Sequence, residues 1–158
     1  MKKSGFGILL LILFTVEGAL AQEYTQINWA YQLSKTALQP GEEAELIVTA
    51  SVKKGWLLYG SDFKADIGPQ PTTFEFVPNG TFSPVGPIVA VSPQSKRDKT
   101  WDIDVTYFTR QAEFRQTIRI DRLDYFFTGY ITGQVCHETK GLCVPFRQAF
   151  HFDPLQTK

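Results

Sequence analysis

The chain has few groups able to carry redox or metal chemistry: of its 158 residues, two are cysteine, two histidine and one methionine. The methionine is Met1, so a thioether copper site in the body of the protein is excluded. There is no Cys-x-x-Cys and no Cys-x-x-Cys-His, which removes a thioredoxin-like motif and c-type haem attachment. Charge of one sign is lacking too. Sixteen Lys and Arg balance 16 Asp and Glu, so no basic excess points to nucleic acid, and neither terminus is a charged tail. No apolar run approaches the roughly 20 residues that a membrane-spanning helix needs, and stable membrane insertion is not expected. Internal repeats, low-complexity tracts and helical periodicity are also missing.

What the sequence does contain begins with an export pattern. Lys2 and Lys3 precede the apolar run Phe6 to Val16, and Ala19-Leu20-Ala21 supplies a small-x-small cleavage site. Cleavage is predicted after Ala21, and no cysteine follows that would take a lipid anchor. Taking residues 1–21 from 158 leaves 137, so residues 22–158 are expected to form a single domain. Aromatic residues make up 14% of the chain, enough to fill a core and too many for a disordered segment.

Period-two alternation dominates this region. Ile27, Trp29, Tyr31 and Leu33 alternate with polar or small residues, and Ala44, Leu46, Val48, Ala50 and Val52 do the same after the Pro40-Gly41 turn. Further strands are predicted over Trp56 to Tyr59, Thr72 to Val77, Ile103 to Phe108, Glu113 to Ile120, Phe126 to Cys136 and Cys143 to Phe152. Residues 81–100, with Pro84, Pro87, Pro93 and the run Lys96-Arg97-Asp98-Lys99, read as an irregular loop holding one short edge strand near Ile88 to Val91. Seven to nine short strands separated by turn signals predict an all-β fold, an immunoglobulin-like antiparallel β-sandwich.

The two cysteines flank the Lys140-Gly141 turn with six residues between them. On a strand, Cys136 shares a face with Gln134, Thr132 and Tyr130, and Cys143 shares one with Arg147 and His151. If the two strands pair around the turn, the sulfurs meet on this more polar face at a Cα separation that a disulfide accepts. Three readings remain open. A structural bridge is the common use of an exported cysteine pair, yet closing so short a loop contributes only ~2.5 kcal/mol. A disulfide on a solvent-facing hairpin is open to attack by a partner thiolate, which makes a redox centre the second reading. Cys136, His137, Cys143 and His151 offer zinc-type ligands as the third, but adjacent Cys136 and His137 point to opposite faces, and no metal is expected. Asp102 and Asp104 share a strand face as solvated charge rather than a catalytic pair. Asn79-Gly80-Thr81 reads as a tight turn rather than a glycosylation acceptor.

The segment Tyr130-Ile-Thr-Gly-Gln-Val-Cys-His-Glu-Thr-Lys-Gly-Leu-Cys-Val-Pro-Phe146 resembles the active-site hairpin of the N-terminal periplasmic domain of DsbD-type thiol:disulfide interchange proteins. Gly55-Trp56-Leu57-Leu58-Tyr59 is similar to that family's Gly-aromatic-x-Leu-Tyr strand, and the likeness covers nearly the whole mature chain. The resemblance implies a periplasmic protein, with an extracellular location the other option. Its Cys136/Cys143 pair would pass electrons by disulfide exchange, without an organic cofactor. It implies thioredoxin-like partner proteins, including those of cytochrome c biogenesis. The sequence ends at Lys158, so the electron source is expected to be a separate membrane electron transporter. By the same resemblance the first cysteine, Cys136, forms the mixed disulfide. Val91 to Trp101 occupies the place of a cap loop, with Trp101 as the covering aromatic and Tyr59 and Tyr130 lining the site. The competing expectation is a non-catalytic immunoglobulin-like binding or structural module with a stabilising disulfide.

Overall fold

The computed structural model describes residues 26–156 apart from 65 and 100; the expected signal segment, residues 1–21, lies outside the described residues. In chain order the strands are β1 (Ile27–Leu33), β2 (Glu43–Val52), β3 (Trp56–Tyr59), β4 (Thr73–Phe76), β5 (Phe82–Ala90), β6 (Gln94–Asp98), β7 (Ile103–Thr109), β8 (Gln111–Ile120), β9 (Phe127–His137) and β10 (Cys143–Phe152). One sheet is ordered β1-β2-β8-β5. The other is ordered β10-β9-β3-β7-β6, with β4 also paired to β9. Every pairing is antiparallel, and the two sheets face each other as the immunoglobulin-like sandwich that the alternation predicts. Among the described residues no helix is long and apolar enough to cross a membrane.

Alternation becomes burial most plainly where β2 meets β8. Val48 lies opposite Phe114 and Ala44 opposite Ile118, all buried against the other sheet. Leu46 faces Gln116, the one polar side chain in this row. Its amide is buried but satisfied, because Nε2 donates to the carbonyls of Val85, Gly86 and Thr117. Those bonds hold the place where β5 slips register against β8 between Val85 and Val89. Aromatic side chains close the space between the sheets, with Phe82 and Phe127 at 4.7 Å, Phe108 and Phe114 at 5.4 Å, and Phe74 and Phe114 at 5.1 Å between ring centroids.

The stretch expected as an irregular loop, residues 81–100, is instead mostly β5 and β6. Both are edge strands, and β5 meets the edge with Pro84, Gly86 and Pro87 where a central strand would lose ladder bonds. Asn79 behaves as the turn reading expects: Oδ1 accepts from the N–H and hydroxyl of Thr81, and Nδ2 donates to the Phe126 carbonyl. Asp102 and Asp104 are both exposed and joined by Arg97, at 3.0 and 3.2 Å.

Strand β9 is the element that positions the cysteines. Its inward residues Phe127, Gly129, Ile131, Gly133 and Val135 are all buried. Gly133 leaves room for the Phe146 ring and Gly129 for Phe150, which lie directly across on β10; a Cβ at Gly129 would come within 2.8 Å of the Phe150 ring. The two cross-strand aromatics thus fill the core over glycines. The alternate residues Tyr130, Thr132, Gln134 and Cys136 face outward.

Candidate functional site

Strands β9 and β10 pair without interruption from Phe127 opposite Phe152 to Cys136 opposite Cys143. Pro145 sits in this ladder opposite Gln134 without a register shift, which an edge strand permits. The His137 N–H donates to the Leu142 carbonyl, so the next pair inward, Cys136 and Cys143, is the close, non-hydrogen-bonded type. Their Cα atoms are 4.1 Å apart and the two sulfurs are joined as a disulfide. The pairing that strand-face arithmetic anticipates is therefore present. With both sulfurs in that bond, His137 turned to Trp56 and His151 to Phe126, the four zinc-type residues do not converge. Among the described residues no group of three His, Cys, Asp or Glu side chains is placed to hold a metal ion.

The two sulfurs differ in their surroundings. Cys136 is 6% exposed and belongs to a second, smaller hydrophobic cluster on the outer face of its sheet, with Leu57, Tyr59 and Val105. Phe63, Ile103 and Tyr107 pack on that cluster. Leu57 lies directly across from Cys136 on β3. Cys143, on the open edge strand, is exposed. The Gln134 side chain, two residues before Cys136 on the same face, donates from Nε2 to the Cys136 sulfur at 3.3 Å. Sequence reasoning placed Gln134 on this face and gave it no role; its signal was the spacing of two from the cysteine.

Of the aromatic residues expected around the site, one is brought to it. Tyr59 is buried in the cluster with Cys136, its ring edge-on to Phe63 at 5.9 Å. Burial, and then the charge of Asp98, raise its phenol above the ordinary tyrosine range. Tyr130 lies six residues back along β9, about 20 Å at strand rise, with the Arg147 guanidinium 3.9 Å over its ring. Trp101 precedes β7 at the end remote from Thr109, and Thr109 is the residue level with Leu57 and Cys136. By strand rise Ile103, the first residue of β7, is already about 20 Å from that level, and the Trp101 ring stands against Gly68 instead, half exposed. The structure does not bring Tyr130 or Trp101 to the disulfide, and residues 94–98 of the expected cap are strand β6.

The geometry is an immunoglobulin-like sandwich with a disulfide across its edge hairpin, one cysteine buried and the other exposed. A family model described as the N-terminal part of the thiol:disulfide interchange protein DsbD matches residues 25–153, and the chain belongs to that family. The N-terminal periplasmic domain of ScsB from Proteus mirabilis is similar at 12% identity and a TM-score of 0.54, over 81% of this chain and 46% of that one. The DsbD N-terminal domain of Neisseria meningitidis, in its reduced form, is similar at 15% identity and a TM-score of 0.49, over 68% of this chain and 75% of that one. The chain thus spans less than half the length of the ScsB chain it resembles, and at such identities the likeness speaks to fold. No curated protein matches.

Proposed function

We propose that this chain is a periplasmic thiol:disulfide exchange protein that passes electrons through Cys136 and Cys143. The observation that carries the reading is the unequal exposure of the two cysteines joined by a bond on the open edge of the sheet. Exchange needs the attacking thiolate, the attacked sulfur and the leaving sulfur in line, so access decides which sulfur is attacked. A partner thiolate reaches Cys143 Sγ over the free edge of β10. Approach to Cys136 Sγ from the opposite side runs into Leu57 and Tyr59. Cys143, rather than Cys136 as the family resemblance suggested, therefore takes the partner.

The electron balance follows. The partner thiolate forms a bond to Cys143 Sγ, the Cys136–Cys143 bond breaks, and Cys136 leaves with the electron pair as a thiolate. Burial among apolar side chains disfavours that charge, and the Gln134 N–H directed at the sulfur offsets part of the cost. A second partner thiol, losing its proton, attacks the partner sulfur of the mixed disulfide and releases Cys143. The partner becomes a disulfide, and two electrons and two protons reside on Cys136 and Cys143. Run backwards, the same steps reduce an acceptor. Family membership supports thiol:disulfide exchange proteins, thioredoxin-like ones among them, as partners, and a periplasmic location. No organic cofactor takes part in these steps.

The deciding measurement is the reduction potential of the pair, equilibrated against glutathione or a dithiol buffer. Structural bridges in secreted proteins lie below about −300 mV. A value above that supports exchange, and one below it returns the disulfide to the role of a staple.

A further inference from the structure

The whole chain is electrically neutral, yet its charge is not evenly spread. A groove of about 670 Å³ opens on the outer face beside the disulfide, with Leu57, the residue opposite Cys136, in its wall. A second, of about 490 Å³, lies at the turn end of the same hairpin. Between them they are lined by Lys53, Lys54, Lys96, Arg110 and Lys140, against the single carboxylate of Glu138.

Elsewhere the arginines are engaged. Arg97, Arg115, Arg119 and Arg122 each close an ion pair with a carboxylate, and Arg147 lies on Tyr130. The Arg110 guanidinium and the Lys54 ammonium have no such partner among the described residues. Lys96 is held over the face of Tyr107 at 4.8 Å, on the side that borders the groove. Arg110 also occupies the one-residue turn between β7 and β8 with φ at 70°, a left-handed backbone where glycine is the unstrained choice. A cation stands there although the turn itself favours glycine. Beside these charges the hairpin exposes Leu142 and Val144, which are 51% and 38% exposed.

We propose that this surface, an apolar hairpin tip rimmed by cations, docks a partner protein whose reactive thiol lies among apolar side chains ringed by carboxylates. The inference rests on the exchange reading above and adds to it the electrostatic character of the partner. Complementary fields of this kind steer encounter and raise association rates by about tenfold or more, an advantage lost as salt screens it.

The test uses the purified exported protein in its oxidised form and synthetic peptides of one design, each with a single cysteine between leucines and flanked by Glu, Gln or Lys. Second-order rates of disulfide reduction are compared for wild type and for Lys54→Gln/Lys96→Gln/Arg110→Gly. Taking the ratio of the two proteins for each peptide cancels the intrinsic reactivity of its thiol. At low salt that ratio is expected to be about tenfold larger for the Glu peptide than for the Gln peptide, to reverse for the Lys peptide, and to collapse by roughly 0.5 M salt, where the screening length is only a few ångströms. Arg110→Gly alone should slow the Glu peptide without lowering the melting temperature, a combination that a structural role would not give. Equal ratios for all three peptides overturn the docking proposal while leaving exchange intact. If no peptide and no neutral small thiol reduces the disulfide, both readings fall. If glutathione gains as much from the cations as the Glu peptide does, the groove is a small-molecule site and the docking proposal falls.

Discussion

The two ends of the β9–β10 hairpin share one uninterrupted ladder and are built for different purposes. At the end away from the turn, Phe127 is fully buried and stacks on Phe152, while Tyr31 lies parallel to Phe150 and Phe152 at 5.3 and 6.1 Å. Glycine at position 129 admits the Phe150 ring into the core. At the turn end the cross-strand pair is a disulfide, one cysteine of which is exposed. Aromatic packing at the first end already fixes which residues stand opposite one another, because a one-residue slip would turn Phe150 and Phe152 out of the core. The disulfide is thus not needed to set the register of the hairpin, and it can open and close while the strands stay paired. On the exchange reading proposed above, one end of the hairpin holds the strands together and the other reacts.

Breaking the first end should have the largest effect. Phe127→Ala removes a fully buried ring and is expected to cost about 3–5 kcal/mol, read from chemical denaturation. The folded fraction should still exchange its disulfide at close to the wild-type rate. Loss of exchange at unchanged folded fraction would show that the two ends are coupled.

Breaking the second end should cost less in stability and everything in activity. Cys136→Ala together with Cys143→Ala opens a loop whose closure contributes ~2.5 kcal/mol at most in the chain-entropy model, and with the register held elsewhere the loss should fall below that. Thermal unfolding measures it. A loss well beyond ~2.5 kcal/mol would mean that the bridge is structural after all.

A smaller effect should sharpen the asymmetry within the reactive end. Gln134→Met keeps the length of the side chain and removes the N–H that points at the Cys136 sulfur. A hydrogen bond worth about 1 kcal/mol in the leaving thiolate corresponds to roughly fivefold in rate. Reduction by a small neutral thiol should slow by about that factor, with the melting temperature little changed. An unchanged rate removes Gln134 from the exchange step.

The sequence showed these two ends unequally. Alternation in β1, β2, β8, β9 and β10 carries the sandwich, because each of those strands has one face in the core. Strand β6 was invisible: it is an edge with little burial on either side, so Lys96, Arg97 and Asp98 look like a solvated loop. Strand β5 showed only its last residues, near Ile88, and the rest was hidden by its prolines and by the register shift that Gln116 supports. The cysteine pairing was legible from face and turn. Which sulfur is sheltered was not, since Leu57, Tyr59 and Val105 come from strands that no local spacing relates to Cys136. Trp101 and Tyr130 show the converse: Tyr130 lies about 20 Å away along β9, and Trp101 lies beyond the far end of β7.

The smallest effect concerns the aromatic end again and is read at high pH. Burial raises the Tyr31 phenol from 10.0 to about 12 in the folded protein. The unfolded chain gives up that proton near 10, so between about 10 and 12 the unfolded state binds fewer protons than the native one. The stabilisation that Tyr31 provides is therefore complete below pH 10 and is lost as pH rises through about 12. Tyr31→Phe keeps the ring that stacks on Phe150 and removes the ionising group. Every other ionisable group is common to both proteins, so the difference between the two melting curves isolates this residue. That difference should be flat up to pH 9 and then turn in favour of the phenylalanine variant as pH climbs toward 12. Parallel curves across the whole range would mean that the Tyr31 hydroxyl already reaches water in the native state, and that the aromatic end of the hairpin is looser than its packing indicates.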